Sequence, residues 1–64
     1  MPDAEIRLVS GDVLTVEGTL EEVEKRLSDA ARSGQSRLAW FEEPGGEAVG
    51  INPANVATVR ASES

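Results

Sequence analysis

The chain has 64 residues, a formal net charge of −6, and neither cysteine nor histidine. A chain of this length forms one domain at most, and it buries only about 60% of its unfolded surface, which leaves a thin stability margin. The composition excludes disulfides and metal sites built from thiolates or imidazoles. Six dispersed basic residues are also too few to replace the counterions of a nucleic acid or to hold an anionic membrane. We therefore expect no direct nucleic-acid partner and no membrane partner.

The expected compartment follows from the same inventory. No apolar run approaches the roughly 18 residues of a membrane span. The first residues, Met-Pro-Asp-Ala-Glu, lack the basic region and the apolar stretch of a signal peptide. A cysteine-free chain is typical of a reducing environment. We expect a cytoplasmic protein.

Alternating polar and apolar residues predict a hairpin at the start of the chain. Residues 5–9 alternate, and a run rich in β-branched residues follows at 13–16, after a Ser-Gly-Asp turn signal at 10–12. The apolar side chains expected on one face are Ile6, Leu8, Leu14 and Val16.

A helix is predicted next, over residues 20–33. Thr19 and Glu22 have the spacing of a capping box, in which each side chain satisfies a free N–H group at the helix start. Gly34 suits the position just after the helix end. One apolar stripe at helical spacing follows the cap, formed by Leu20, Val23, Leu27, Ala30 and Ala31.

The second half reads as further strands at 36–42, 47–51 and 56–59, with a turn at Pro44 and Gly45. Short turns between neighbouring strands predict antiparallel pairing. The expected fold class is α+β: an antiparallel sheet of four to five strands, in the order β-β-α-β-β-(β), with one helix on one face. Residues 1–64 form one domain, and residues 61–64 are expected to be a frayed tail. Gly50, which has no side chain, is expected to lie under a large neighbour such as Phe41.

No residue pattern supports catalysis. The serines and threonines have no histidine partner, and neither phosphate-loop glycine pattern occurs. Glu42, Glu43 and Glu47 flank the turn and could form a weak calcium or basic-peptide site, but a solvated turn is the favoured interpretation. We therefore predict no enzyme activity, no catalytic residue, no metal, no cofactor and no small-molecule substrate.

The strand at 36–42 raises the main functional hypothesis. It carries apolar residues on both faces, and a single helix can cover only one of them. The uncovered face could be a docking or dimerisation surface, or the sheet could curl so that the aromatics close the edge of the core. The predicted partner-binding residues are Ala39, Trp40, Phe41 and Val59.

Two runs carry a resemblance to known proteins. Residues 49–59, Val-Gly-Ile-Asn-Pro-Ala-Asn-Val-Ala-Thr-Val, and residues 7–13, Arg-Leu-Val-Ser-Gly-Asp-Val, resemble small β-rich proteins of actinobacteria and their phages. Flagellar FlbD-like proteins are similar, although the central capped helix departs from them. The resemblance implies a small soluble β-rich module and carries over no catalytic residue.

These observations lead to three functional hypotheses. The first is a protein-interaction or adaptor module that binds a protein partner or itself, as a homodimer, through the uncovered sheet face or an edge strand. The second is an acidic regulator of nucleic-acid machinery that mimics the charge of DNA, which requires acidic residues in rows on one surface. The third is a structural subunit of a larger assembly.

Overall fold

The computed structural model describes residues 2–32 and 38–62, and this part of the chain contains five strands and one α-helix. The elements are β1 (Asp3–Leu8), β2 (Val13–Glu17), α1 (Leu20–Arg32), β3 (Ala39–Glu42), β4 (Ala48–Ile51) and β5 (Val56–Ser62), with a short 3₁₀ helix at Pro53–Asn55. The α+β class and the predicted element order are confirmed.

The strands form two antiparallel sheets. One has the order β2-β1-β5, and the other is a two-stranded ribbon of β3 and β4. Strand β3 contacts β2 without forming a ladder with it. The guanidinium of Arg26, on α1, donates to the main-chain carbonyl of Trp40, on β3, at 2.8 Å. This carbonyl is therefore hydrogen-bonded to a helix side chain and not to a neighbouring strand.

The first hairpin forms as its alternation predicts. Ile6 pairs with Leu14 across the β1-β2 ladder. Hydrogen bonds close the turn, from the N–H of Leu8 to the carbonyl of Asp12 (2.8 Å) and from the N–H of Gly11 to the carbonyl of Leu8 (2.9 Å). Gly11 has a φ of +100°, which other residues rarely adopt.

The capping box at the start of α1 is confirmed. The N–H of Thr19 donates to Oε1 of Glu22 at 2.9 Å, and the N–H of Glu22 donates to Oγ1 of Thr19 at 3.2 Å. The apolar stripe is narrower than predicted, since Leu20 and Ala31 are exposed. The predicted helix end at residue 33 and the predicted capping residue Gly34 lie outside the described residues.

The core lies between the three-stranded sheet, the helix and the ribbon. All three contribute buried apolar side chains, each worth roughly 1.5–3 kcal/mol when fully buried, with less for alanine. The buried set is Ala4, Ile6, Val16, Val23, Ala39, Phe41 and Ile51.

Strand β5 is longer than predicted and contains a bulge. The register shifts between Arg7 and Leu8, which pair with Thr58 and Val56, so Ala57 is the extra residue. The bulge lets Val56 and Val59 both pack against the core although they are three residues apart.

The chain end also differs from the prediction of a frayed tail at 61–64. Ala61 and Ser62 pair with Ala4 and Asp3 in the β1-β5 ladder, which extends β5 to Ser62. Main-chain pairing with an already ordered strand holds these two residues. Residues 63–64 lie outside the described part of the chain.

Candidate protein-docking surface

The structure separates the four predicted partner-binding residues. Ala39 and Phe41 are each 3% exposed and belong to the core, so they offer no surface to a partner. Trp40 is 58% exposed. Val59 is half-buried and lines a groove beside the helix. Of the predicted set, Trp40 is thus the one residue with a largely free side chain.

Strand geometry explains why Trp40 points outward. Successive side chains of a strand alternate between its faces. Phe41 pairs with Val49, and Ala39 pairs with Ile51, so these four side chains share the inner face of the ribbon. Trp40 therefore projects from the outer face. From the sequence, either Leu38 and Trp40 or Ala39 and Phe41 could have faced the core. In the structure, Ala39 and Phe41 face it.

Gly50 lies directly beneath the indole. It pairs with Trp40 across the ladder. A Cβ atom at position 50 would lie 3.0 Å from Cη2 and 3.1 Å from Cζ2 of Trp40, and 2.9 Å from Cδ1 of Leu38. Gly50 thus lies under a large side chain, as predicted, but that side chain is Trp40 and not Phe41, which occupies the opposite face of β3. The indole therefore packs against the main chain at Gly50, and the rest of its surface is in solvent.

These residues form one exposed apolar surface, here called the Trp40 patch. It consists of Leu38, Trp40, Ala48 and Gly50. Leu38 is 44% exposed and converges with Trp40 over the glycine. Ala48 is exposed and lies on the same face of β4, two residues from Gly50. A tryptophan held against a neighbour at the centre of an apolar surface is the usual form of an interface anchor.

Arg26 holds the main chain behind the patch. Besides its hydrogen bond to the Trp40 carbonyl, its guanidinium carbon lies 5.9 Å from the centroid of the Phe41 ring, within the range of a cation–π contact. The backbone of Trp40 is therefore held by the pairing with β4 and by the helix. Such support keeps an exposed anchor oriented before any partner arrives.

The ribbon beside the patch is acidic. Residues 38–52 contain three glutamates and no lysine or arginine. Glu42 lies on the same face of β3 as Trp40, about 7 Å further along the strand. Glu43 and Glu47 close the turn, where the N–H of Glu43 donates to the carbonyl of Glu47 at 2.8 Å. The surroundings of Trp40 along the ribbon thus carry charge of one sign.

A polar cavity of about 270 Å³ adjoins Glu42. Glu17, Glu22 and Arg26 also line it, with Pro2 and Gly18. The N–H and the hydroxyl of Thr19 donate to the Glu22 carboxylate and hold its pKa below the usual value. Among the described residues, no three carboxylates come together as a metal site. The cavity extends the negative surface around Glu42.

Val59 belongs to a different surface. It lines a groove of about 270 Å³ together with Leu20, Leu27 and Ser28, and Glu21 and Glu24 border it. The groove lies between α1 and β5, whereas the Trp40 patch lies on the ribbon. Sequence reasoning placed Val59 beside the aromatics because the strand order was unknown.

The outer face of the three-stranded sheet is polar. Its side chains alternate with the buried Ala4 and Ile6 of β1 and include both charge signs. They are Asp3, Glu5, Arg7, Thr15, Glu17, Thr58 and Arg60, with Val13 as an apolar exception. The acidic residues on this face are interrupted by arginines, and this arrangement does not favour a mimic of DNA charge.

Three residues of the patch, Leu38, Ala48 and Gly50, were not among the predicted partner-binding residues. The alternation of 38–41 puts Leu38 on the face of Trp40, but either face of that strand could have filled the core. The cross-strand register that brings Gly50 beneath the indole comes only from the fold.

Comparisons with protein-family models, with curated proteins and with solved structures found no match for this chain. Within the described residues, no helix has both the length and the apolar character needed to cross a membrane.

Proposed function

We propose that the protein is an interaction module that docks another protein through the Trp40 patch. The observation that carries the proposal is the exposed indole, seated on Gly50 and held from behind by Arg26. Leaving a tryptophan in water forgoes the free energy of its burial, and a folded chain regains that energy when a partner covers the ring.

The size of the patch suits a short segment of the partner. An indole buries about 150–250 Å² when fully covered, so 58% exposure leaves roughly 90–150 Å². A stable interface between globular proteins needs about 800 Å² on each side. The patch is therefore an anchor point for an extended segment, whose main chain could also pair with the outer edge of β4.

Self-association is the second candidate, because the patch could also bury itself against a copy. The same exposed apolar surface supports this candidate, because in a two-fold dimer each subunit contributes the same patch to the interface. However, two copies meeting at their ribbons would bring six glutamates together, three from each chain. Like charges at an interface are costly, so we place a different protein in the site.

The proposal is tested by a photo-reactive residue placed at position 48, in cells that produce the protein. Ala48 is exposed within the Trp40 patch, and replacing it leaves Trp40 in place. Matched chains carry the same residue at Leu20, on the helix groove, and at Val13, on the polar sheet face; both are exposed. We expect a discrete cross-linked protein from position 48 alone. Excess unlabelled wild-type chain should suppress that product, and excess Trp40→Ser chain should not.

Equal products from all three positions would contradict the proposal, and so would competition by the Trp40→Ser chain as effective as that by wild type. A cross-linked product composed of two copies of this chain would establish the second candidate instead.

A further inference from the structure

We infer that the Trp40 patch takes an extended segment bearing lysine or arginine, with the cationic group lying against the indole and near Glu42. The inference rests on the proposed function, because it names the chemistry of the partner at the same surface.

The orientation of Trp40 provides the first argument. Gly50 covers one part of the six-membered ring, and the rest of the side chain is exposed. Among aromatic side chains, tryptophan binds a cation best, at up to about 6 Å from the ring centroid. An apolar stem beside the cation, as in lysine or arginine, can pack on Leu38 and Ala48.

The charge of the ribbon provides the second argument. Glu42 shares the outer face with Trp40, and Glu43 and Glu47 pair one position further on at the turn, where alternation puts them on the side of Phe41. Residues 38–52 contain no base, and the nearby Arg26 already donates to the Trp40 carbonyl. A neutral or acidic segment would leave these carboxylates without countercharge, whereas a basic segment is attracted to them and oriented by them.

The neighbouring cavity provides the third argument. Glu17, Glu22 and Glu42 line it with a single arginine, so its walls carry a net negative charge when the carboxylates are ionised. A second basic side chain two residues along an extended segment would lie about 7 Å from the first, the same spacing as Trp40 and Glu42 on β3.

The test uses the full chain and defined peptides. The probes are an eight-residue peptide with alternating arginine, the same peptide with alternating citrulline, and the same peptide with alternating glutamate. Trp40 is the single tryptophan and the chain has no tyrosine, so its emission reports binding directly. We expect the arginine peptide to bind, to shift the emission of Trp40 and to weaken as salt is raised.

A matched pair of charge variants separates the ribbon from the rest of the acidic surface. In the ribbon variant, three glutamates are replaced together: Glu42→Gln, Glu43→Gln and Glu47→Gln. It should bind the arginine peptide about tenfold more weakly, which is the low end of the range by which charge of one sign raises association rates. The control triple Glu21→Gln, Glu24→Gln, Asp29→Asn removes the same charge from the helix and should leave binding within about twofold. Trp40→Leu should also weaken binding, measured by calorimetry.

Equal binding of the arginine and citrulline peptides would overturn the inference, as would equal losses in the two triple variants or no binding of the arginine peptide at all. The proposed function fails separately. If position 48 cross-links a partner whose contacting segment is neutral or acidic, the inference is wrong and the docking surface stands. If position 48 cross-links nothing specific, the proposed function falls.

Discussion

Trp40 and Gly50 face each other across the β3-β4 ladder, and the indole occupies the space in which a Cβ atom at position 50 would lie. The alternation of side chains along β3 puts Trp40 on the outer face, and the glycine lets the ring rest against the main chain of β4. An exposed side chain thereby gains a defined orientation without entering the core.

The first prediction concerns this contact. Gly50→Ala should displace the indole, because the added methyl carbon would be 3.0 Å from Cη2 of Trp40. The obstructing groups, Cδ1 of Leu38 and the indole of Trp40, are the ends of exposed side chains. The free energy of unfolding should therefore change by about 1 kcal/mol or less. Acrylamide quenching of Trp40 should change relative to wild type.

Gly45→Ala is the matched control, since nothing lies within 4 Å of a Cβ atom there. If Gly45→Ala altered the quenching of Trp40 as much as Gly50→Ala, the contact would not be what orients the ring.

The second prediction contrasts two adjacent aromatics. Phe41→Ala should lower the free energy of unfolding by about 3–5 kcal/mol, because it empties a buried site, and a domain of this size should then be largely unfolded. Trp40→Ala should cost about 1 kcal/mol or less, as for other surface substitutions. Circular dichroism during urea unfolding measures both. Similar losses for the two variants would show that Trp40 belongs to the core.

The third prediction concerns the tie between helix and ribbon. Arg26→Met keeps an apolar stem but removes the hydrogen bond to the Trp40 carbonyl and the cation near Phe41. We expect a loss of about 1 kcal/mol in the free energy of unfolding. Urea unfolding followed by Trp40 emission measures it. Unchanged stability together with unchanged emission would remove Arg26 from the account.

The fourth prediction concerns the helix cap. Thr19→Ala removes the hydroxyl that accepts from the N–H of Glu22, and should cost about 1 kcal/mol. In a domain of 60–100 residues that loss lowers the melting temperature by roughly 4–8 °C. Thr19→Ser retains the hydroxyl and should melt close to wild type. A Ser variant as unstable as the Ala variant would point to packing of the methyl group instead.

The fifth prediction follows from the lowered pKa of Glu22. Hydrogen bonds from Thr19 stabilise the ionised carboxylate in the folded state. Because the folded pKa lies below the unfolded one, this contribution is fully present above the unfolded value near 4.5 and is lost as the pH falls through the folded value. The stability difference between wild type and Glu22→Gln should therefore shrink on acidification from pH 7 to below pH 4. A difference that grows would contradict the sign.

Some of the architecture follows from short-range patterns. The capping box of Thr19 and Glu22 predicts where α1 begins because both hydrogen bonds are made within one turn. The first hairpin follows from alternation and a glycine turn. The division of the strands into two sheets does not follow, because the pairing of β1 with β5 and the contact of Arg26 with β3 join residues far apart in the sequence.

The candidate site was predictable only in part. Trp40 and Phe41 were singled out because they are the two aromatic residues of the chain, on a strand with two apolar faces, and aromatics are the usual interface anchors. Ala39 and Phe41 were equally plausible from the sequence, since either face of the strand could fill the core. The choice between faces comes from pairing with Val49 and Ile51, a long-range contact that local pattern does not contain.

The most direct test of the docking surface is acrylamide quenching of Trp40, first in the free protein over a hundredfold range of concentration and then with the cross-linked partner supplied in excess. We predict efficient quenching that does not depend on protein concentration, and strong protection once the partner is bound. An indole that is already shielded in the dilute free protein, or one that stays equally accessible in the complex, would contradict the proposal that Trp40 is where this protein binds its partner.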